Sequence, residues 1–300
     1  MKNYLIIILV CIASHKLMAQ FADTSLIRTH FVNITKSNNA RNYKNLDELN
    51  RVGSYIEKYF NHYADTCYRQ AYEFNTNEYF NVVASFGPLD APRVIIGAHY
   101  DVCGDQEGAD DNASGVIGLL ELARLLDTVV LDRRIDLVAY TLEEPPFFRT
   151  EKMGSYVHAS SLKEDSVQVK LMICLEMIAY FTDEEKSQDY PVKGLSLTYG
   201  NKGDYITLVK KTGAKKVVKK TCKDFKKNAE IKTKIFTGPP NLPGIDFSDH
   251  LNYWSFGFPA LMITDTAFFR NKNYHKATDT METLDFLRMS QVIDAIFKIL

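Results

Sequence analysis

The chain has 300 residues, a formal net charge of −1 and 46% apolar residues. That length allows one large domain or two small ones, and that apolar fraction is enough for a full core. The lack of a basic excess argues against nucleic acid or an anionic membrane surface as a partner.

Residues 1–19 stand apart from the rest. Lys2 supplies a positive start, Leu5 to Ala13 is an apolar run too short to span a bilayer, and Leu17-Met18-Ala19 ends on a small residue before Gln20. This is the pattern of a secretory signal peptide cut after Ala19. It leaves one domain over residues 20–300, a secreted or periplasmic location, and no stable membrane anchor. Val10, directly before Cys11, argues against a lipoprotein signal. With Cys11 removed, Cys67, Cys103, Cys174 and Cys222 remain, and no pair has the CxxC spacing of a zinc finger. Export permits disulfides, and four cysteines leave three pairings open. Cys174 sits in an apolar strand pattern and reads as a buried free thiol.

In chain order, apolar residues at Leu46, Leu49, Val52, Ile56, Tyr59 and Phe60 predict a helix over 46–63. Two strand-like runs, 67–74 and 79–86, flank the turn-forming Asn75-Thr76-Asn77 and predict a hairpin. A strand is expected over 93–98, then a buried helix over 116–126 capped by Ser114. The next strand, 134–142, runs into Glu143-Glu144-Pro145-Pro146, where the prolines stop regular structure. The stretch 170–179 is an apolar run with one carboxylate, Glu176. A strand over 193–199, a helix over 204–212, strands over 232–236 and 259–266, and an amphipathic helix over 284–300 complete the reading. Strands alternating with helices predict an α/β fold with a mostly parallel central sheet flanked by helices, in a single domain.

His99, Asp110, Glu143, Glu144, Glu176 and His275 stand at apolar strand ends or just beyond. In an open α/β sheet that edge is where ligands bind. Buried carboxylates are costly unless paired or bound to a cation, so carboxylates and imidazoles gathered there point to a divalent metal site. Three carboxylates and two histidines suit two zinc ions with one carboxylate between them, and other divalent ions bind similar donors. Asp101, two residues after His99, lies on the same side of an extended strand and is placed to accept the free imidazole N–H.

The chain resembles the M28 family of zinc peptidases, with the aminopeptidase-like fold. The matching pieces are His99-Tyr100-Asp101, Gly108-Ala109-Asp110-Asp111-Asn112-Ala113-Ser114-Gly115, Glu143-Glu144, Met153-Gly154-Ser155, Ser248-Asp249-His250, and Tyr274-His275 with Asp279-Thr280. They occur in the family's order and span residues 46–300. The resemblance implies that Asp110 bridges two zinc ions, that Glu144 and His275 complete one and His99 and Glu176 the other, and that Glu143 is the general base. Asp111 would shape the backbone beside the bridge, where relatives often have a cis peptide between the two aspartates. Tyr274 would donate to the oxyanion, as a tyrosine does in some relatives.

The implied function is an exported exopeptidase acting on peptides or proteins, with an aminopeptidase favoured. Glu176 stands where those aminopeptidases usually have Asp and related carboxypeptidases more often have Glu. Arg149 and Arg270, near the site in sequence, could hold a terminal carboxylate or be ordinary structural arginines. A glutaminyl-cyclase-like acyltransferase, which typically holds one zinc, and a non-catalytic binding domain are the other readings. The lysines between Lys210 and Lys227 lack interleaved aromatics and read as a solvated helical face and loop. Phe147, Phe148, Phe268 and Phe269 flank site segments and could line an apolar pocket or pack in the core.

Overall fold

The computed structural model describes residues 21–300. The signal-peptide reading falls on residues outside that range. Helix α1 (Thr24–Thr35) starts at Asp23, whose carboxylate accepts the backbone N–H of Ser25 and Leu26. Helix α2 (Leu46–Tyr63) buries Leu49, Val52, Ile56 and Phe60 along one stripe. Strands β1 (Thr66–Phe74) and β2 (Asn77–Phe86) form the expected hairpin. Its two-residue loop, Asn75-Thr76, has positive φ at both positions, the geometry that matches strand twist.

Strand β3 (Arg93–His99) leads through a loop and an irregular turn into helix α3 (Gly115–Leu126). Strand β4 (Arg134–Tyr140), helix α4 (Gly154–Glu164) and strand β5 (Val169–Glu176) follow. Then come α5 (Leu195–Tyr199), β6 (Ile206–Lys211), α6 (Lys216–Asn228), β7 (Thr233–Gly238), α7 (His250–Ser255), β8 (Ala260–Thr264) and α8 (Phe286–Phe297). The eight strands form one sheet in the order β1-β2-β4-β3-β5-β8-β6-β7. The central strands β4, β3, β5 and β8 are mutually parallel. β2 runs antiparallel to β4, and β6 antiparallel to β8.

Side chains alternate across the sheet. Ile96, Ala98, Ile173, Leu175, Leu261 and Ile263 enter a large core shared with α1, α2, α3, α6 and α8. Ile95, Met172, Cys174, Ala260 and Met262 face a second core under α4 and α7. With both faces covered, the central strands read as near-continuous apolar runs. Their carboxyl ends all open on one edge, so His99, Glu143, Glu144 and Glu176 arrive together there.

Three expectations are corrected. Leu195–Tyr199 is a short helix, bracketed by Gly194 and Gly200 at positive φ, and not a strand. The predicted helix over 204–212 is strand β6, because Ile206-Thr207-Leu208-Val209 fills a slot between β8 and β7. Ser114 does not cap α3. Its hydroxyl donates to the carbonyl of Asp110 at 2.8 Å and accepts from the N–H of Ile178 at 3.0 Å, tying the turn to the end of β5. All four cysteines in the described residues are free thiols, Cys174 and Cys222 buried.

Candidate active site

His99 ends β3 and is 1% exposed. Its Nε2 lies 3.4 Å from Oδ1 of Asp111 and 3.5 Å from Oε2 of Glu176. His275 comes from the loop after β8, in a left-handed conformation (φ 55°). Its Nε2 lies 3.1 Å from Oδ2 of Asp111 and 3.2 Å from Oε2 of Glu144. The side chains thus form two tripods, and Asp111 contributes one oxygen to each.

The spacing tests whether the tripods suit a metal. Tetrahedral donors at about 2.0–2.1 Å from a zinc ion stand about 3.3 Å from one another. The four separations, 3.1 to 3.5 Å, bracket that value. Oδ2 of Asp111, Oε1 of Glu144 and Nε2 of His275 are buried and lack a hydrogen-bond partner within the protein. Buried polar atoms left this way are costly unless a cation completes them. Donor set, spacing and orphaned atoms therefore all fit a divalent ion.

The electrostatics are those of acid and imidazole groups crowded out of water. Burial works to raise the Asp111 carboxyl, but His275 and His99 beside it hold it well below the usual range. Burial and the charge of Asp111 push Glu144 up to about 8 against the opposing pull of His275 and His99. Burial raises Glu143 well above the ordinary carboxyl value, opposed by His99 and reinforced by Glu144 and Glu176. Burial likewise raises Glu176. His275 is pushed up to about 10, because Asp111 and Glu144 outweigh its burial. A metal ion would invert this logic, since every donor must give up its proton to bind.

The family model for peptidase family M28 matches residues 81–300. The chain belongs to peptidase family M28. It is a metallopeptidase with an aminopeptidase-like fold. It is 44% identical over 275 residues to the protein YfbL of Escherichia coli K12, covering 89% of this chain and 84% of that one. It is 25% identical over 226 residues to leucine aminopeptidase 1 of Ajellomyces dermatitidis, 71% of this chain and 53% of that protein, so it spans about half the length of that relative. Among solved structures, LapB of Legionella pneumophila superposes with a TM-score of 0.73 at 21% identity, over 95% of this chain and 73% of that one. At that identity the likeness establishes the fold.

Against the M28 pattern, one expected site residue is displaced. Asp110 was expected to be the shared carboxylate; in the structure it is Asp111 whose two oxygens lie beside His99 and His275. The carboxylate of Asp110 points away from both tripods, accepting from the N–H of Ala179 at 3.1 Å and from Nδ2 of Asn271 at 2.8 Å. The physical reason begins in the turn itself. Asp111 and Asn112 have non-helical dihedrals between a left-handed Gly108 and α3, so the two aspartates face opposite ways. The cis peptide lies between Asp111 and Asn112, not between the two aspartates. Gly115 is required next in line, because a Cβ there would sit 2.5 Å from Oδ1 of Asn112 and 2.7 Å from the carbonyl of Leu175.

Other residues hold the donors in place. Nδ1 of His99 donates to the carbonyl of Asp101 at 3.2 Å, with the Asp101 carboxylate close behind at 3.4 Å. That carboxylate also accepts the N–H of Glu143 and of Glu144, each at 3.1 Å, so it sets the turn carrying both glutamates. Asp279 does the same for the aspartates, accepting the N–H of Asp110 at 3.0 Å and of Asp111 at 3.1 Å. Ser248 donates to Oε2 of Glu176 at 2.6 Å, and Asn112 Nδ2 reaches the same oxygen at 3.4 Å. Asp279, Ser248 and Asn112 stand inside the motif strings of the sequence with no part expected of them. Their polar side chains, each standing inside a motif string, were the available signal.

Oε2 of Glu143 lies 3.8 Å from Nε2 of His99, at the rim of the tripods. The ring of Tyr274 stacks on His275 with centroids 3.8 Å apart, and burial with the charges of Asp111 and Glu144 raises its hydroxyl. An apolar cleft opens beside Glu176 and Tyr274, walled by Phe247, Phe268, Phe269 and Met262. Phe147 is instead buried in the main core. Phe148 packs against Phe247 outside the tripods. His250 is buried, with Nε2 on the carbonyl of Ile245 at 2.8 Å. Arg270 is buried, donating to Gln188 and to the carbonyl of Tyr180. Arg149 pairs with Asp246 at 2.7 Å.

Proposed function

We propose that this M28 peptidase is an exported two-zinc aminopeptidase that prefers an apolar first residue. The observation carrying the reading is Asp111, which presents one oxygen to the His99–Glu176 pair and the other to the His275–Glu144 pair. His99, Asp111 and Glu176 would hold one ion, and His275, Asp111 and Glu144 the other. When bound, zinc lowers the pKa of a water toward about 7 and polarises a peptide carbonyl.

The remaining steps belong to the chain. Glu143 takes the proton of the attacking water and returns it to the leaving amine. Its raised pKa suits it to hold that proton between the two events. Asp101 keeps Glu143 and Glu144 at their separate tasks by pinning both backbone N–H groups. The Tyr274 hydroxyl donates to the carbonyl oxygen as charge develops on it. The cleft between Tyr274 and Met262 takes the side chain of the first residue, and its aromatic walls favour leucine-like or larger apolar groups.

Two alternatives lose support. A carboxypeptidase needs a free cation for the terminal carboxylate, and Arg149 and Arg270 are engaged elsewhere. A cyclase-like acyltransferase typically holds one zinc, and the sharing of Asp111 between His99 and His275 supports two. Among the described residues no helix is long and apolar enough to cross a membrane. The test is a panel of free-amino, N-blocked and C-amidated peptides, assayed with and without a chelator, together with zinc content per chain. The reading requires that chelation and N-blocking abolish cleavage while amidation does not. Loss on amidation would make it a carboxypeptidase, and one zinc per chain would favour the cyclase.

A further inference from the structure

The loop between β3 and the Asp111 turn carries a thiol for which the peptidase mechanism has no use. Cys103, Glu144 and His275 each offer one potential ligand atom, and these three atoms lie within 4.8 Å of one another. Glu144 is 4% exposed, and its Oε1 is buried with no hydrogen-bond partner. Cys103 is half-buried and forms no disulfide. The two tripods also differ in access. The His99 side chain is 1% exposed, while that of His275 is 27% exposed, so the His275 tripod is the one open on its outer side.

The loop is braced on both sides of the thiol. Arg41 Nε donates to the carbonyl of Tyr100 at 2.8 Å, and its Nη2 to the carbonyl of Gly108 at 2.6 Å. The N–H of Val102 donates to the carbonyl of Arg41 at 3.1 Å. Nδ2 of Asn42 donates to the carbonyl of Gly104 at 2.6 Å. Residues 102 and 104 are thus both tied to the 41–42 segment, and the position between them is held beside His275.

We infer that Cys103 is a sulfur ligand of the ion held by Asp111, Glu144 and His275. This rests on the two-ion reading of the site. Sulfur at about 2.3 Å and nitrogen at about 2.0–2.1 Å from a tetrahedral zinc stand about 3.6 Å apart, and ligand atoms already within 4.8 Å of one another need only a small approach to reach that spacing. Binding forms the metal–sulfur bond and releases the thiol proton to solvent. The two positions then differ chemically: an N/O set around His99, and an N/O/S set around His275 that favours zinc or cadmium over manganese.

The experiment loads the full chain with cobalt(II) and records its absorption, for the wild type and for Cys103→Ser, Cys103→Ala and, as a control on edge strand β1, Cys67→Ser. Cobalt uptake is measured by equilibrium dialysis. The expected result is a thiolate-to-cobalt charge-transfer band that Cys67→Ser keeps and both Cys103 variants lose, while their visible cobalt bands remain. Cadmium affinity at one position should fall at least ~10-fold in the Cys103 variants, as much as loss of an orienting partner costs, with manganese affinity unchanged. Visible cobalt bands without a charge-transfer band in the wild type would overturn the inference and leave the two-ion reading standing. A band that survives both Cys103 variants would assign the sulfur elsewhere and also overturn it. No cobalt uptake by the folded wild type would overturn the two-ion reading, and the inference with it.

Discussion

Asparagine substitutions at the two adjacent aspartates separate metal binding from folding. Asp111→Asn keeps the shape of a side chain that is 2% exposed but removes the charge that serves both tripods. Loss of a partner that merely orients a ligand costs about 10–100-fold in metal affinity. Loss of the shared donor should exceed the upper end of that range, so dialysed Asp111→Asn should retain less than one zinc per chain. Asp110→Asn should behave in the opposite way. Its carboxylate accepts from the N–H of Ala179 and from Asn271, and burial beside Asp265 pushes its pKa well up. An amide at that position can satisfy one of those donors but turns an NH2 toward the other, leaving a buried group unsatisfied at about 1–3 kcal/mol. For a chain of this size that corresponds to roughly 2–4 °C in Tm per kcal/mol, with zinc content unchanged. Metal analysis after dialysis and a thermal melt read both effects. An Asp110→Asn variant that loses zinc while Asp111→Asn keeps two ions would refute the assignment of Asp111 to the centre.

Glu143→Ala should retain its zinc and lose about 10²–10⁴-fold in kcat, measured on a leucyl peptide; full activity would leave the mechanism without its base. Tyr274→Phe should lower kcat by about 10²-fold with the fold and metal content intact, and unchanged turnover would end its role at the oxyanion. Phe268→Ala, in the cleft wall, should cut kcat/KM for large apolar first residues by about 10–200-fold while sparing alanyl peptides. The pH dependence follows from protons that the metal must displace. In the metal-free protein Glu144 is raised to about 8 and His275 to about 10, so both bind protons more tightly when folded than unfolded. Their contribution to metal-free stability is therefore lost as pH rises through about 8 and then about 10, while zinc affinity rises over the same window. Calorimetric titration in buffers of different ionisation enthalpy should show proton release on zinc binding, and a pH-independent affinity would contradict these shifts.

The sequence was most informative where chemistry is written as residue type in a local string. His99-Tyr100-Asp101 and Glu143-Glu144 could be placed at or just beyond strand ends, because buried parallel strands read as apolar runs that stop abruptly at a polar group, and Tyr274-His275 was legible as a motif string. The short stretch from Leu195 to Lys211 misled, because a five-residue helix between glycines and a six-residue strand have no periodicity long enough to tell them apart. Strand β6 is a strand because β8 and β7 lie on either side of it, which no local pattern states.

By itself, the sequence carried the family pattern, the α/β architecture and four of the five residues that the tripods bring together, since His99 and Glu176 end apolar strands and Glu144 and His275 stand in motif strings just beyond them. Only the tertiary structure decided between Asp110 and Asp111. Neighbouring side chains on an irregular turn point to different sides, and which one faces the sheet edge depends on Asp279, far along the chain, accepting the N–H of both aspartates and on Asn112 tying the turn to the carbonyl of Leu175. It decided equally that Cys103 stands beside His275, a proximity set by Arg41 and Asn42 folding back over the loop.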